Sequence, residues 1–362
     1  MAIEERIEEN LPLAGLTTLG VGGPARHFLS ALNEDDIPAA FRFAEEKGLD
    51  VFVLGGGSNL VVSDAGFGGL VVKIDLQGVS FGEPDEAGDV IAEAAAGEDW
   101  DEFVATCVDR GLAGVECLSG IPGSVGGTPV QNVGAYGQEV SETIVAVRCF
   151  DRKTERFIEL DNAECGFSYR KSIFNTSEKG RHVVTKVRFR LGAGGEPKVV
   201  YRDLKEHFGE RSPSLAEVRE AVLAIRRRKS MEIDAADPNS RSAGSFFKNP
   251  IVAAEVLEEI AAAEGSDVPS FPAGEGRVKI PAAWLIERAG FAKGYRRGEA
   301  GISANHSLAI VNLGRAKAAD IFALMDEVRA AVKGRFGIEL VPEPVFLGDT
   351  APLPQTAADR VV

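Results

Sequence analysis

Residues 120–137, GIPGSVGGTPVQNVGAYG, carry six glycines among small apolar residues, with no collagen-like period. Glycine weakens helices and strands because its unfolded chain has more freedom to lose. A stretch this poor in side chains makes sense where the backbone must lie close to something else. Gly120, Gly123, Gly126 and Gly127 leave bare backbone across two turns, while Ser119, Ser124, Thr128, Gln131 and Asn132 supply short polar groups.

A second glycine-rich turn, VLGGGSNLVVSD at 53–64, follows the short apolar strand DVFVLG. A dinucleotide-binding phosphate loop would read GxGxxG and open a helix, whereas here LVVSD favours a strand. A strand–loop–strand turn can still hold an anion, because successive N–H groups of Gly55, Gly56, Gly57 and Ser58 can point into one concavity. Alone, the same turn is equally well explained by a need for positive φ. Two such loops lining one cleft would suit a large flat ligand such as a flavin with its pyrophosphate. Neither loop by itself names the ligand.

Periodicity places helices over 33–48, ending at Gly48, and over 100–108, where Trp100, Phe103, Val104, Cys107 and Val108 share a face and Gly111 follows. Residues 143–160 read as two strands joined by a charged turn, and 182–191 as a strand. Further helices are predicted over 214–229, 251–264, from 282 and over 315–334, with a loose tail after Gly348. The loop EIDAADPNSRSAG marks a domain boundary. Helices and strands alternate without regular βαβ spacing, which predicts an α+β chain.

The formal net charge of −15 opposes non-specific binding to nucleic acid or to an anionic membrane. No apolar run approaches the roughly 20 residues of a membrane span, and the acidic N-terminus lacks the basic and apolar regions of a signal peptide. A cytoplasmic protein is expected. Cys107, Cys117, Cys149 and Cys165 show no CxxC spacing, and the four histidines are scattered, so unreactive thiols and no metal site are expected.

TTLGVGGPARHF, VLGGGSNLVVSD and GIPGSVGGTPVQNVGAYGQEV resemble, in order and spacing, the FAD-binding segments of the UDP-N-acetylenolpyruvoylglucosamine reductase (MurB) family. The resemblance continues through CGFSYRKSIF (165–174), SAGSFFKNP (242–250) and AAWLIERAG (282–290). It implies a two-part FAD-binding region of the vanillyl-alcohol-oxidase/PCMH type and a C-terminal α/β substrate-binding domain. The parts would be 1–75 joined by 343–362, then 76–229, and lastly 230–342. FAD would be held non-covalently by Leu54, Gly55, Gly56, Gly57, Ser58, Asn59, Ser119, Gly120, Ile121, Pro122, Gly123, Ser124, Gly127, Asn132, Gly134 and Ala135.

The implied reaction uses NADPH and FAD to reduce the enolpyruvyl group of a UDP-sugar, in peptidoglycan precursor synthesis. Hydride reaches the terminal alkene carbon, and charge spreads from the adjacent carbon into the carboxylate as an enolate. That chemistry needs donors at the carboxylate and a proton source at carbon. The resemblance assigns the carboxylate to Arg170 and Glu343 and the proton to Ser245. It implies a substrate contact for Tyr201, which marks the subclass with a tyrosine loop. Three more substrate contacts are expected from position: Lys229, whose basic run suits either the diphosphate or the substrate carboxylate, Tyr169 beside Arg170, which either contacts substrate or packs, and Asn249 near Ser245. Lys248 lies near Ser245, and His306 falls near a substrate position of the family without a role. Read without the family, Arg170 is a surface arginine beside Lys171, and the RRRK run ending at Lys229 is a solvated helix end. A monomer or weak homo-oligomer is expected. Two other readings fit the loops: an FAD oxidase acting on another alcohol or alkene, and a non-catalytic nucleotide-sugar sensor.

Overall fold

In the computed structural model, which describes residues 3–349, the chain divides into two compact units. The first comprises the N-terminal segment through Leu11, Ala25–Gly57 and Gly68–Glu232; the second comprises Pro12–Pro24, Ser58–Phe67 and the chain from Ile233 onward. Each holds mixed helix and strand, as the α+β reading expects.

In the first unit, helix α1 spans Asp36–Lys47 and is closed by Gly48 in the left-handed region. Its residues Ile37, Ala40 and Ala44 are buried. It belongs with a four-stranded sheet in the order 8–12, 24–31, 67–74, 51–54, in which 51–54 and 67–74 run parallel. A larger antiparallel sheet runs 156–161, 144–151, 182–193, 89–95, 79–81. The predicted hairpin is in register from Asp151 opposite Arg156 to Ala146 opposite Asp161. Helix α2, Trp100–Asp109, turns the predicted Trp100, Phe103, Val104, Cys107 and Val108 inward. Trp100 and Phe103 close on Phe189 of the sheet with ring centroids 5.8 and 5.0 Å away, each such buried side chain contributing roughly 1.5–3 kcal/mol.

Helix α3, Arg202–Phe208, was not expected from the sequence; it is short and buries only Leu204 and Phe208. Helix α4, Leu215–Arg228, begins in a capping box between Ser214 and Glu217. Its Val218, Val222 and Ile225 pack with Cys117, Leu204 and Phe208.

In the second unit, the helix predicted over 251–264 is corrected. Ile251–Ala253 is a strand paired with 277–279, and helix α5 starts only at Ala254. The β-branched pair Ile251–Val252 favours the extended backbone, and the partner strand supplies its ladder. Helices α6, Ala282–Arg288, and α7, Ala318–Phe336, follow. α7 buries Ile321, Leu324, Met325, Val328 and Val332, the stripe read from the sequence. The strand Val345–Leu347 lies parallel to Leu60–Val62, so the LVV of LVVSD is a strand, as predicted, and Asp64 already lies in a turn. The expected loose tail lies outside the described residues from 350.

Candidate active site

The glycines of 120–127 are explained first by their own protein. Trp100 N–H donates to the Gly123 carbonyl at 3.0 Å, Val125 N–H to Glu98 at 2.9 Å and Gly126 N–H to Ala96 at 2.9 Å, which straps the loop to the start of α2. A Cβ on Gly126 would lie 2.5 Å from the Ala96 Cβ. A Cβ on Gly56 would lie 2.5 Å from the Gly123 Cα, so the two glycine loops cross backbone against backbone.

What remains open beside that crossing is a cavity of about 110 Å³ lined by Gly55, Gly56, Lys73, Ile74, Asp75, Gly97, Asp99, Gly123 and Ser124. The Ser124 hydroxyl is buried with no hydrogen-bond partner. Burying a hydroxyl unpaired costs about 1–3 kcal/mol, so it fits a group that a ligand would complete. A Cβ on Gly55 would come within 2.9 Å of that hydroxyl and fill the cradle.

Both backbone groups of Gly120 are held by charges that the sequence reading missed. Its N–H donates to Asp101 at 2.6 Å, and its carbonyl accepts from Nε of Arg226 at 2.9 Å. Asp101 in turn accepts two bonds from Arg219, at 2.5 and 2.9 Å. Burial acts to raise the Asp101 carboxyl, but Arg219 and the Gly120 N–H outweigh it, and the net shift is downward. Burial lowers Arg226, against the pull of Tyr136. The available signal was spacing: Arg219 and Arg226 stand seven apart on α4, beside its apolar stripe. Within the basic run, Arg227 and Arg228 are exposed while Arg226 is buried.

Around the loop's far end, Tyr136 takes a positive φ of 48° and meets Tyr201 edge-on, with ring centroids 5.4 Å apart. Lys229 sits over the Tyr136 ring at 5.9 Å and bonds Asp203 at 3.2 Å. Tyr201 and Lys229 are therefore brought together in this unit, with Tyr136 as the member the sequence reading overlooked. Burial raises both tyrosine hydroxyls above their ordinary range.

Arg170 is not a solvated surface arginine. It stands at the tip of a tight turn closed by paired bonds between Ser168 and Lys171, with φ 56°. Its Nη2 donates to the Gly134 carbonyl at 2.7 Å and its Nη1 to the Asn132 carbonyl at 3.3 Å. The guanidinium lies 5.4 Å from the Tyr169 ring centroid. The Asn132 amide donates to Glu139 at 2.8 Å and to the Ser168 carbonyl at 3.2 Å. Ser119 donates to the Glu116 carbonyl at 2.7 Å. Gly134 and Ala135 form a two-residue ladder with Gln138 and Glu139.

In the second unit three segments meet at Phe246. Its N–H donates to the Leu308 carbonyl at 2.8 Å, and its carbonyl accepts from the Glu343 N–H at 2.9 Å. The neighbouring Ser245 hydroxyl lies 3.4 Å from Nε2 of His306. Asn59 donates to the Glu343 carbonyl at 3.2 Å, and Val345 N–H returns a bond to the Asn59 carbonyl at 2.9 Å. The Ser58 carbonyl accepts from Thr18 at 3.2 Å. Asn249 accepts from the Ala282 N–H at 2.9 Å and so caps α6. Lys248 N–H donates to the Val341 carbonyl at 2.9 Å.

Comparison with known proteins adds the family. The FAD binding domain model matches residues 25–161, and the UDP-N-acetylenolpyruvoylglucosamine reductase C-terminal domain model matches 237–347. A UDP-N-acetylenolpyruvoylglucosamine reductase of Thermobifida fusca (strain YX) is 50% identical over 352 residues, spanning 94% of this chain and 98% of the relative. The chain belongs to the UDP-N-acetylenolpyruvoylglucosamine reductase family. A reductase of Streptomyces avermitilis is 47% identical over 353 residues, 93% of this chain and 94% of its own. The crystal structure of the MurB reductase of Thermus caldophilus superposes with a TM-score of 0.65 at 28% identity, over 95% of this chain and 99% of that one. MurB membership makes this an FAD-containing oxidoreductase, and both glycine loops fall inside the FAD-binding match. Among the described residues, no helix is long and apolar enough to cross a membrane, and no group of His, Cys, Asp and Glu is placed to hold a metal.

Proposed function

We propose that this protein is the MurB reductase that converts UDP-N-acetylglucosamine enolpyruvate to UDP-N-acetylmuramate at the expense of NADPH, in peptidoglycan precursor synthesis. The observation that carries this reading is the near full-length identity to a named reductase. The chemistry that FAD supplies when bound is two-electron storage between NADPH and the alkene. Backbone of Gly55, Gly56, Gly57, Gly120, Ile121, Pro122, Gly123 and Gly127, with Leu54, Ser58, Asn59, Ser119, Ser124, Asn132, Gly134 and Ala135, is assigned to hold it. The unpaired Ser124 hydroxyl and the bare Cα of Gly55 support the assignment.

Arg170 grips the enolpyruvyl carboxylate, where a planar guanidinium can make two parallel bonds that strengthen as charge arrives. Its anchorage to the Gly134 carbonyl fixes the fork in advance. Glu343 acts at the same carboxylate, and Ser245 gives the proton to the adjacent carbon. Tyr201 and Lys229 take the diphosphate, Tyr201 placing the chain in the tyrosine-loop subclass. Tyr169 and Asn249 complete the substrate contacts. We further assign a cytoplasmic protein, monomeric or weakly self-associated, with no nucleic-acid partner.

The test is a spectrum of the purified protein followed through two additions. NADPH should bleach the flavin band and the enolpyruvyl UDP-sugar should restore it. Ser245→Ala should leave the bleaching rate unchanged and slow the recovery about 10²-fold or more. A colourless protein that FAD cannot reconstitute, or a recovery untouched by Ser245→Ala, would overturn the respective assignment.

A further inference from the structure

A hydroxyl is a weak acid, and one that surrenders its proton to carbon leaves an alkoxide that something must quench. The structure places the His306 imidazole against Ser245. Its Oγ lies 3.4 Å from Nε2 of His306, at the long end of hydrogen-bond reach. Catalytic bonds of this kind are often long before substrate arrives and tighten in the complex.

The pairing is built into the fold. The strands Ala300–Ile302 and Ile310–Asn312 are antiparallel partners, and the loop between them carries His306. Ser303 N–H donates to the Ala309 carbonyl at 2.9 Å, and Ala309 N–H to the His306 carbonyl at 3.1 Å, which closes the loop tightly. Phe246 N–H then ties the Ser245 segment to Leu308, two residues after His306. Phe246 and Phe247 are both fully buried, so the serine's backbone has little freedom to swing away. Neither Ser245 nor His306 is fully buried, which leaves the pair open to substrate and to solvent protons.

We propose that His306 is the positioning residue for Ser245: it presents Nε2–H to Oγ and replaces the proton that the hydroxyl gives up. The inference rests on the reading of Ser245 as proton donor. The terminal alkene carbon receives hydride, with NADPH as its ultimate source, and the alkene electron pair moves to the carbon beside the carboxylate. A C–H bond forms there as the Ser245 O–H bond breaks. Oγ takes the Nε2 proton, and the imidazolium becomes neutral imidazole, which water reprotonates between turnovers. Charge and protons balance, and no metal is required.

His306→Gln and His306→Ala in the FAD-loaded enzyme separate proton transfer from packing. Glutamine keeps an N–H that can point at Oγ but has no proton to give. In stopped-flow, both variants should be bleached by NADPH at the parent rate. Reoxidation by the enolpyruvyl UDP-sugar should slow by about 10², with the solvent deuterium isotope effect on that step enlarged. Free imidazole should restore part of the rate to His306→Ala and none to His306→Gln. Reoxidation of His306→Gln at the parent rate would overturn the proposal, as would a slow His306→Ala that imidazole leaves slow. A parent enzyme that the enolpyruvyl sugar never reoxidises would instead overturn the reductase reading itself, and the two failures are distinguishable in one experiment.

Discussion

Two neighbouring glycines show what the side-chain-poor loop is for. A Cβ on Gly126 would be driven to 2.5 Å from the Ala96 Cβ, whereas a Cβ on Gly127 would meet nothing nearer than the Ser124 hydroxyl at 3.9 Å. Gly126→Ala should therefore cost roughly 1–3 kcal/mol of stability through overpacking, read as a lower melting temperature of the apoprotein. Gly127→Ala should leave that melting temperature unchanged yet weaken FAD binding, measured by flavin fluorescence titration. Equal melting losses in the two variants would mean that neither position is reserved for a ligand. Residue by residue, the cofactor surface expected from the sequence includes Gly127 and leaves out Gly126, but it also includes Gly56 and Gly123, whose backbones press on each other. That distinction depends on what crosses the loop, here Ala96 and Gly56–Gly123, which no local spacing reveals. Arg226 escaped for the same reason: it reaches the loop from a helix 106 residues on.

At the scale of elements, the hairpin 144–161 is pinned at its end by charge. Asp151 is buried and accepts from Arg181 at 2.9 and 2.8 Å, from Lys153 N–H at 3.0 Å and from Thr154 at 3.0 Å. The Arg181 guanidinium holds the Asp151 carboxyl well below the usual range, against the opposing effect of burial. Because the folded value lies below the roughly 3.9 of an unfolded aspartate, the stabilisation is present above that pH. It is lost as pH falls through the folded value. Asp151→Asn should cost on the order of 1–3 kcal/mol at neutral pH. The gap from the parent should narrow below about pH 4, as followed by circular dichroism during acid titration. A gap that is constant with pH would show that the pair contributes packing alone. Elements with an unbroken apolar stripe, α2, α4 and α7, were legible from periodicity. The start of 251–264 was not, although its helix stands from Ala254 on: Ile251 and Val252 fit a helical face equally well, and only the partner strand 277–279 decides their backbone.

At the scale of the whole molecule, the four cysteines belong to the apolar cores. All four thiols are free and buried, and burial pushes each up to about 12. Cys107 and Cys149 lie in the main core of the first unit, and Cys117 in the smaller cluster under α4. A disulfide-exchange reagent near pH 8 should find no reactive thiol in the native protein and four in denaturant. Rapid labelling of any thiol in the native state would show that its core opens locally rather than only on global unfolding.

The sequence by itself determined the family, the two glycine loops and the buried stripes of the long helices. Each is written in neighbouring residues whose spacing alone carries the information. Tertiary structure decided the rest. It turned Arg170 onto the Gly134 carbonyl, set the Asn249 side-chain carbonyl oxygen on the Ala282 N–H, and set His306 against Ser245. These outcomes follow from backbone hydrogen bonds between segments far apart in the chain, and a side chain's partner is fixed only once those bonds have chosen which segments lie side by side.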